Sequence, residues 1–170
     1  VTVPLGTPEG EYTIGALADW QDIVSESDET DNGLNAAGIF RVRIPPPPAP
    51  DLVASDVDVI DESPFTTGEV IRVGHTVTNS GELDAGSFRV GIYLSEDEVI
   101  DPLEDTLLGT RVLSSLSIGS SSAANTTVQL PPNVALTAWR IGVLVDDLEA
   151  QAESDEGNNS AVDPEAHVIQ

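Results

Sequence analysis

Residues 14–19 read Ile-Gly-Ala-Leu-Ala-Asp, and residues 141–146 read Ile-Gly-Val-Leu-Val-Asp. The two stretches lie 127 positions apart, and the same offset places residues 26–32 (ESDETDN) over residues 153–159 (ESDEGNN). A gapless match over about thirty positions indicates a tandem repeat. The repeat therefore sets the frame in which the rest of the chain is interpreted.

The repeat divides the chain into a partial copy and a complete one. We predict that residues 1–44 are the C-terminal part of an upstream repeat and that residues 51–170 form one complete copy. Between them, residues 45–50 read PPPPAP. Consecutive prolines favour polyproline II, which makes this segment a stiff, extended linker.

Short apolar runs that alternate with polar residues fill the complete copy, and none has the period of a helix. Seven such runs in about 120 residues are typical of an immunoglobulin-like β-sandwich, so we predict an all-β fold. The predicted strands span residues 52–60, 70–78, 88–94, 106–112, 121–130, 137–145 and 161–169. One face of the first strand is expected to carry Val53, Ser55, Val57 and Val59.

The partial copy supplies only about three strands in this frame, and they have no facing sheet. Such a fragment leaves an apolar face and an unpaired edge. Three explanations remain open at this point. The sequence is cut from a longer repeat protein, it is one unit of a polymer, or residues 1–44 complete a sandwich in a neighbouring chain by strand addition.

The composition excludes several classes of function. The chain has 30 acidic and 6 basic residues and a formal net charge of −24, which disfavours nucleic acid and anionic membrane surfaces as partners. No run of 18 or more apolar residues exists, so membrane insertion by a helix is not expected. High salt or bound divalent cations would make this charge tolerable. The chain has no cysteine, so disulfides, thiolate metal sites and cysteine nucleophiles are excluded.

The complete copy resembles the CARDB family, the cell-adhesion-related domain of bacteria and archaea. The resemblance rests on the segments PDLV (50–53), VTNSG (77–81), FRVGIYLS (88–95), DTLLG (105–109), VD (145–146), AESDE (152–156) and NN (158–159). It implies an immunoglobulin-like sandwich that is repeated in exported surface proteins. It implies no enzymatic activity and no particular ligand.

The loop after the third strand is the first candidate metal site. Calcium takes six to eight oxygen ligands from flexible loops, and this loop holds six carboxylates. Asp97, Asp101 and Asp105, each four residues from the next, would converge if the loop wrapped around one ion. Glu96, Glu98 and Glu104 would add charge or further ligands. The alternative is a solvated acidic loop that only joins two strands.

The loop after the sixth strand is a second, weaker candidate for a cation. Its potential ligands are Asp146, Glu153, Asp155 and Asn158. By strand order this loop lies at the opposite end of the sandwich from the first loop. The structural alternative is favoured here, because Gly and Asn accept the left-handed geometry that a hairpin turn requires.

Catalysis has little support in the sequence. His75 falls at an inward position of the second strand, where a core role is expected, and no serine lies in an elbow motif. Trp20 has no aromatic counterpart in the complete copy, since Asp147 takes its place, and it is a candidate interface residue.

The sequence thus favours a non-catalytic structural module of an extracellular or cell-surface repeat protein or filament. Other copies of the same repeat are the expected partners, calcium is the expected ion, and residues 1–44 are a candidate for strand addition. The alternative is an adhesion module that recognises a glycan or a protein.

Overall fold

The computed structural model describes residues 2–170, which form two compact units that meet at the Pro47–Pro48 boundary. Both units contain strands, turns and bends, and the described residues contain no helix. A membrane-crossing helix is accordingly not found among residues 2–170. The all-β prediction is confirmed.

The first unit contains four short strands, where about three were expected. They are β1 (Gly10–Tyr12), β2 (Gly15–Leu17), β3 (Gly33–Asn35) and β4 (Phe40–Val42). β1 pairs with β4 and β2 pairs with β3, both antiparallel. The unit is therefore a long hairpin that is interrupted on both sides, with a loop between β2 and β3.

The second unit is a sandwich of two antiparallel sheets. Its strands are β5 (Leu52–Val59), β6 (Val70–Asn79), β7 (Phe88–Ser95), β8 (Thr106–Leu113), β9 (Ser121–Gln129), β10 (Ala138–Val145), β11 (Ser160–Val162) and β12 (His167–Val168). One sheet has the order β5-β6-β9, and the other has the order β11-β10-β7-β8 with β12 also paired to β10. This arrangement is the predicted immunoglobulin-like sandwich.

The core lies between the two sheets and consists mostly of β-branched and leucine side chains. Alternation along each strand sends every second side chain inward, and those residues are fully buried. The inward set includes Ile71, Val73 and Val77 of β6, Val90, Ile92 and Leu94 of β7, and Ile141, Val143 and Val145 of β10.

The predicted alternation of the first strand is wrong in its first half. Leu52 and Ala54 are buried there, whereas Val57 and Val59 are buried further on. The β5–β6 register shifts between Ser55 and Asp58, and Asp56 has a φ of 52°. This β-bulge inserts one extra residue, so the buried positions change from even to odd numbers along the strand.

The predicted seventh strand, residues 161–169, is also wrong, because it is broken into β11 and β12. Pro164 lies between the two and has no N–H to contribute to a ladder. The buried side chain of Asp163 accepts the N–H groups of Val59 (2.6 Å) and Glu165 (2.8 Å) at the break. The chain then returns to the sheet at β12.

The start of the second unit includes part of the predicted linker. The Ala49 carbonyl accepts the N–H of Glu82 (2.8 Å), and the Pro50 carbonyl accepts the N–H of Ser154 (2.9 Å). These bonds fix the end of the proline tract to the sandwich, in agreement with the unit boundary at Pro48.

The strand registers of the first unit match those of the last strands of the second unit at the 127-residue offset of the repeat. Every pair in the β2–β3 ladder lies 127 positions before a pair in the β10–β11 ladder. Likewise, each pair of the β10–β12 ladder has its counterpart in the β1–β4 ladder. The first unit thus has the strand pairing of the last hairpin of the sandwich.

Candidate functional site

The loop that joins β10 to β11, residues 146–159, is called the hairpin loop of the second unit. Asp146, 4% exposed, ends β10 with a φ of 51°. Its Oδ1 accepts the N–H of Ala150 (3.0 Å), and its Oδ2 accepts the N–H of Gln151 (2.7 Å). Both carboxylate oxygens therefore hold the first turn of the loop.

Glu153 joins the hairpin loop to the opposite sheet. Its Oε2 accepts the N–H of Leu52 at the start of β5, and its Oε1 accepts Asn159 Nδ2 (3.1 Å). Burial is the main cause that raises the pKa of Glu153 to about 7, and the negative charges of Glu156 and Asp146 act in the same direction. The N–H of Leu52 opposes this shift.

Asp155 and Asn158 also have partners within the protein. Asp155 Oδ1 accepts the N–H of Gly157 (2.8 Å), which closes the turn that the sequence favoured. Asn158 Nδ2 donates to Asp51 Oδ1 (2.9 Å) next to β5. The four residues of the second metal prediction are thus engaged in hydrogen bonds that shape and anchor the loop.

The hairpin loop of the first unit, residues 19–32, repeats this network. Asp19 has a φ of 40° and accepts the N–H groups of Ile23 (3.1 Å) and Val24 (2.7 Å). Glu29 accepts the N–H of Glu26 (2.8 Å), as Glu156 accepts that of Glu153 (3.0 Å). Because the same bonds form without a facing sheet, the loop conformation is encoded locally.

The loop between β7 and β8, residues 95–105, is called the carboxylate loop. Its three predicted aspartate ligands accept backbone N–H groups: Asp97 from Val99 (2.8 Å), Asp101 from Leu103 (2.8 Å) and Asp105 from Asp101 (2.8 Å). The structure brings Asp101 and Asp105 together through the last bond. Asp97 instead lies beside Ser95, whose Oγ accepts the Asp97 N–H (3.1 Å).

The three glutamates of the carboxylate loop are exposed, and they do not share an environment. Glu98 forms an ion pair with Arg140 of β10 (2.6 Å). Glu96 and Glu104 lie at the solvent-facing positions of the loop. Across residues 2–170, no three or more Asp, Glu, His or Cys side chains lie close enough together to hold a metal ion.

The carboxylate loop folds back over the outer face of its sheet. Ile100 is buried against Gly142, where a β-carbon would lie 2.6 Å from Ile100 Cδ1. Pro102 then lines an open cavity of about 510 Å³ together with residues of the hairpin loop. The two loops leave the sandwich at opposite ends, as predicted, but the structure brings them to one cavity.

The cavity has an acidic lining and no aromatic side chain. Its lining residues are Pro102, Leu144, Val145, Asp146, Asp147, Glu149, Gln151, Ala152, Glu156 and Asn159. The oxygens of Asp146 and Glu156 are held by loop N–H groups, and those of Asp147 face an arginine. These acidic side chains are therefore bound within the hairpin loop or to β7.

An ion pair beside this cavity was not predicted. Arg89 of β7 donates from Nε and Nη2 to the two oxygens of buried Asp147, at 2.7 Å each. Tyr93 also donates to Asp147 (2.9 Å), and burial, followed by this carboxylate, raises the pKa of Tyr93 to about 12. Gly91 leaves room for the pair, since a β-carbon there would collide with Tyr93 and Asp147. Alternation along β7 places Arg89, Gly91 and Tyr93 on one strand face, but no pattern in the sequence identifies Asp147 as their partner.

The remaining candidate residues have structural surroundings or are exposed. His75 is buried, as predicted, and its Nε2 lies 3.5 Å from Arg111 Nη1. Burial is the main cause that lowers the pKa of His75, and the Arg111 charge adds to it. Trp20 of the first unit is 73% exposed.

These features define a class of protein: an immunoglobulin-like repeat module whose acidic loops are closed by their own amide groups. The sequence profile of the CARDB family matches residues 49–163, which is more than half of the chain. The chain therefore belongs to the CARDB family. No curated protein sequence matches it.

A solved structure of the family has the same fold. The CARDB domain of a Pyrococcus furiosus protein, solved in complex with di-metal ions, is 20% identical and has a TM-score of 0.51. The alignment covers 72% of this chain and 90% of that one. A domain of a candidate cell surface protein from Methanosarcina acetivorans is 21% identical, with a TM-score of 0.47 and coverage of 72% and 93%. β-Glucosidase 3B from Thermotoga neapolitana is 18% identical with a TM-score of 0.41, and only 16% of that chain is covered.

Proposed function

We propose that this chain is a non-catalytic structural module of a cell-surface or filament protein with tandem repeats. The second unit is a finished sandwich, and the first unit is the last hairpin of another. In this proposal, strands from another repeat complete the first unit, and repeated completion builds an extended, rigid array. Membership of the CARDB family supports a surface-associated role.

The free edge of β2 carries this proposal. Ala18 donates its N–H to Asn32 (2.9 Å), and Ile14 accepts the N–H of Ala36 (2.7 Å). Because N–H and C=O groups alternate sides along an antiparallel strand, those of Gly15 and Leu17 point away from β3. Their counterparts in the second unit, Gly142 and Leu144, pair with β7.

A fusion protein tests the proposal directly. Residue 1 corresponds to residue 128, so placing residues 51–127 before Val1 restores the frame of a complete repeat. We expect the amides of Gly15 and Leu17 to become protected from hydrogen exchange in the fusion. Leu17→Pro should abolish that protection at Gly15 because it removes an edge N–H, whereas Leu17→Ala keeps the N–H and the protection. Equal exchange of Gly15 with and without residues 51–127, even when residues 16, 18, 20 and 36 carry the side chains of their counterparts in the second unit, would end the strand-addition proposal.

Calcium is a separate part of the proposal. The ion is favoured by the six carboxylates of the carboxylate loop, and a family member has been solved with di-metal ions. The aspartate oxygens in that loop now accept N–H groups, so ion binding would require Asp97, Asp101 and Asp105 to reorient.

A melting curve with and without a chelator at low salt tests calcium binding. A lower midpoint with chelator is expected, and Asp101→Asn should remove the difference. An unchanged midpoint in the wild-type chain would exclude a calcium role in stability.

Recognition of a glycan has less support than assembly. Glycan sites commonly present aromatic side chains in a groove, and the cavity between the two loops of the second unit has none.

A further inference from the structure

The first unit, called the N-terminal hairpin from here on, has the strand pairing of the β10–β11 and β10–β12 ladders of the second unit. The side chains that would face a core are different in the two. Val143 and Val145 are buried beside Ile92 and Val90 of β7. The corresponding residues of the first unit are Ala16 and Ala18. On a sheet like that of the second unit, these alanines would leave voids at two adjacent core positions.

A second difference removes a buried hydrogen-bond acceptor. Asp163 accepts the N–H of Val59 at the bulge of β5 (2.6 Å). The equivalent residue of the first unit is Ala36, whose side chain has no acceptor. A strand with the β5 bulge would therefore keep an unpaired buried N–H against this hairpin.

A third difference lies on the outer face. Asp147 neutralises Arg89 through two hydrogen bonds, and the first unit has Trp20 at that position. A partner strand with arginine at the Arg89 position would lose its counter-ion. Trp20 offers an exposed indole face for packing where Asp147 offers a carboxylate for an ion pair.

One contact is retained between the two hairpins. Glu153 accepts the N–H of Leu52 at the start of β5, and the first unit has Glu26 at the same position. Glu29 accepts the N–H of Glu26 as Glu156 accepts that of Glu153, so the backbone at the two glutamates is held in the same way. Glu26 is therefore placed to accept the first N–H of a partner's first strand.

We infer that the N-terminal hairpin is completed by the first five strands of a CARDB-type repeat whose sequence differs from residues 51–127. That partner has larger apolar side chains opposite Ala16 and Ala18, and at the Arg89 position it has a side chain that packs on an indole without an ion pair. Its first strand does not need an acceptor from residue 36. Glu26 binds the backbone of its first strand. This inference rests on the proposed function, because it names the repeat that supplies the missing strands.

The fusion of residues 51–127 to the full chain also tests this inference. The first repeat of the fusion consists of the added residues 51–127 followed by the N-terminal hairpin. The second repeat is the native sandwich of residues 51–170. We expect two thermal transitions, with the first repeat melting roughly 15 °C below the second. The graft A16V/A18V/W20D/A36D gives the hairpin the side chains of its counterpart and should raise the first transition towards the second.

The outcomes separate the inference from the proposed function. Two repeats that melt together without the graft would overturn the inference, since residues 51–127 would then be a sufficient partner, but strand completion would stand. A first repeat that stays unfolded even with the graft would overturn both. Rescue by the graft, with protection of the Gly15 amide, supports both. Adding L17P to the graft is the control, and it should cancel the rescue.

Discussion

The two hairpins of this chain differ in what surrounds them and agree in how their loops are closed. Asp19 and Asp146 each hold two loop N–H groups at matching distances, although only the second hairpin is packed in a sandwich. Ile14 is 46% exposed, whereas its counterpart Ile141 is completely buried. The comparison shows that local hydrogen bonds are sufficient to shape the hairpin loop, and that the burial of Ile141 comes from the sandwich around it.

The largest expected difference between the hairpins concerns their core positions. Ile141→Ala should lower the free energy of unfolding of the second unit by about 3 kcal/mol, because it leaves a cavity between the sheets. Ile14→Ala should change it by less than about 0.5 kcal/mol. Urea unfolding in a Trp20→Phe background makes Trp139 the only tryptophan reporter. Equal losses in the free energy of unfolding from Ile141→Ala and Ile14→Ala would contradict the finding that only Ile141 is packed in a core.

The Arg89–Asp147 pair exists only in the second unit, since Trp20 replaces the aspartate in the first. Asp147→Ala should cost about 2 to 3 kcal/mol, because it leaves Arg89 and the Tyr93 hydroxyl without their acceptor. The double variant R89A/D147A should be less destabilised than the sum of the single variants, as a double-mutant cycle in urea would measure. Additive losses would mean that the two side chains are not coupled.

The aspartates that begin the two hairpin loops provide a matched pair. Asp146→Ala should cost about 2 kcal/mol in the Trp139 transition, because two N–H groups lose their acceptor and alanine is strained at positive φ. Asp19→Ala should leave that transition unchanged. A loss from Asp19→Ala as large as that from Asp146→Ala would show that the units do not unfold independently.

A pH dependence of stability is also expected, and it comes from Glu153. Its pKa is about 7 in the folded protein and 4.5 ordinarily, so the folded state binds the proton more tightly. The stabilisation from this proton is complete below about pH 4.5 and is lost as the pH rises through 7. Glu153→Gln should flatten the stability profile across this range in high salt, where general charge repulsion is screened.

The exposed equivalent of Glu153 serves as the control for that measurement. Glu26→Gln should leave the pH profile of the Trp139 transition unchanged, since Glu26 lies in the first unit. A wild-type profile that is flat between pH 4.5 and 8 would contradict the burial of Glu153 as the source of the effect.

The sequence predicted the features that follow from the alternation of apolar residues and from the internal repeat. Alternation of apolar residues gave the strands of the sandwich, and the 127-residue offset predicted the equivalence of the hairpins that the strand registers display. The break in the last strand had a visible cause in Pro164, which cannot donate to a ladder.

Other features depend on distant contacts that no local pattern contains. The bulge at Asp56 has no glycine to mark it, and its position follows from how β5 meets β6. The pairing of Arg89 with Asp147 joins residues 58 positions apart, and the sequence offers many other acidic candidates. The six carboxylates of the predicted calcium site also diverge for reasons outside the local pattern: the three aspartates accept backbone N–H groups, and Glu98 pairs with Arg140 of β10.

The most direct test of this account is amide hydrogen exchange in the full chain alone. The account predicts that Gly142 and Leu144, which pair with β7, exchange at least about 1000-fold more slowly than Gly15 and Leu17, whose N–H groups lie on a free edge. Equal protection of the two pairs in a monomeric chain would contradict the claim that the first hairpin still lacks its sheet.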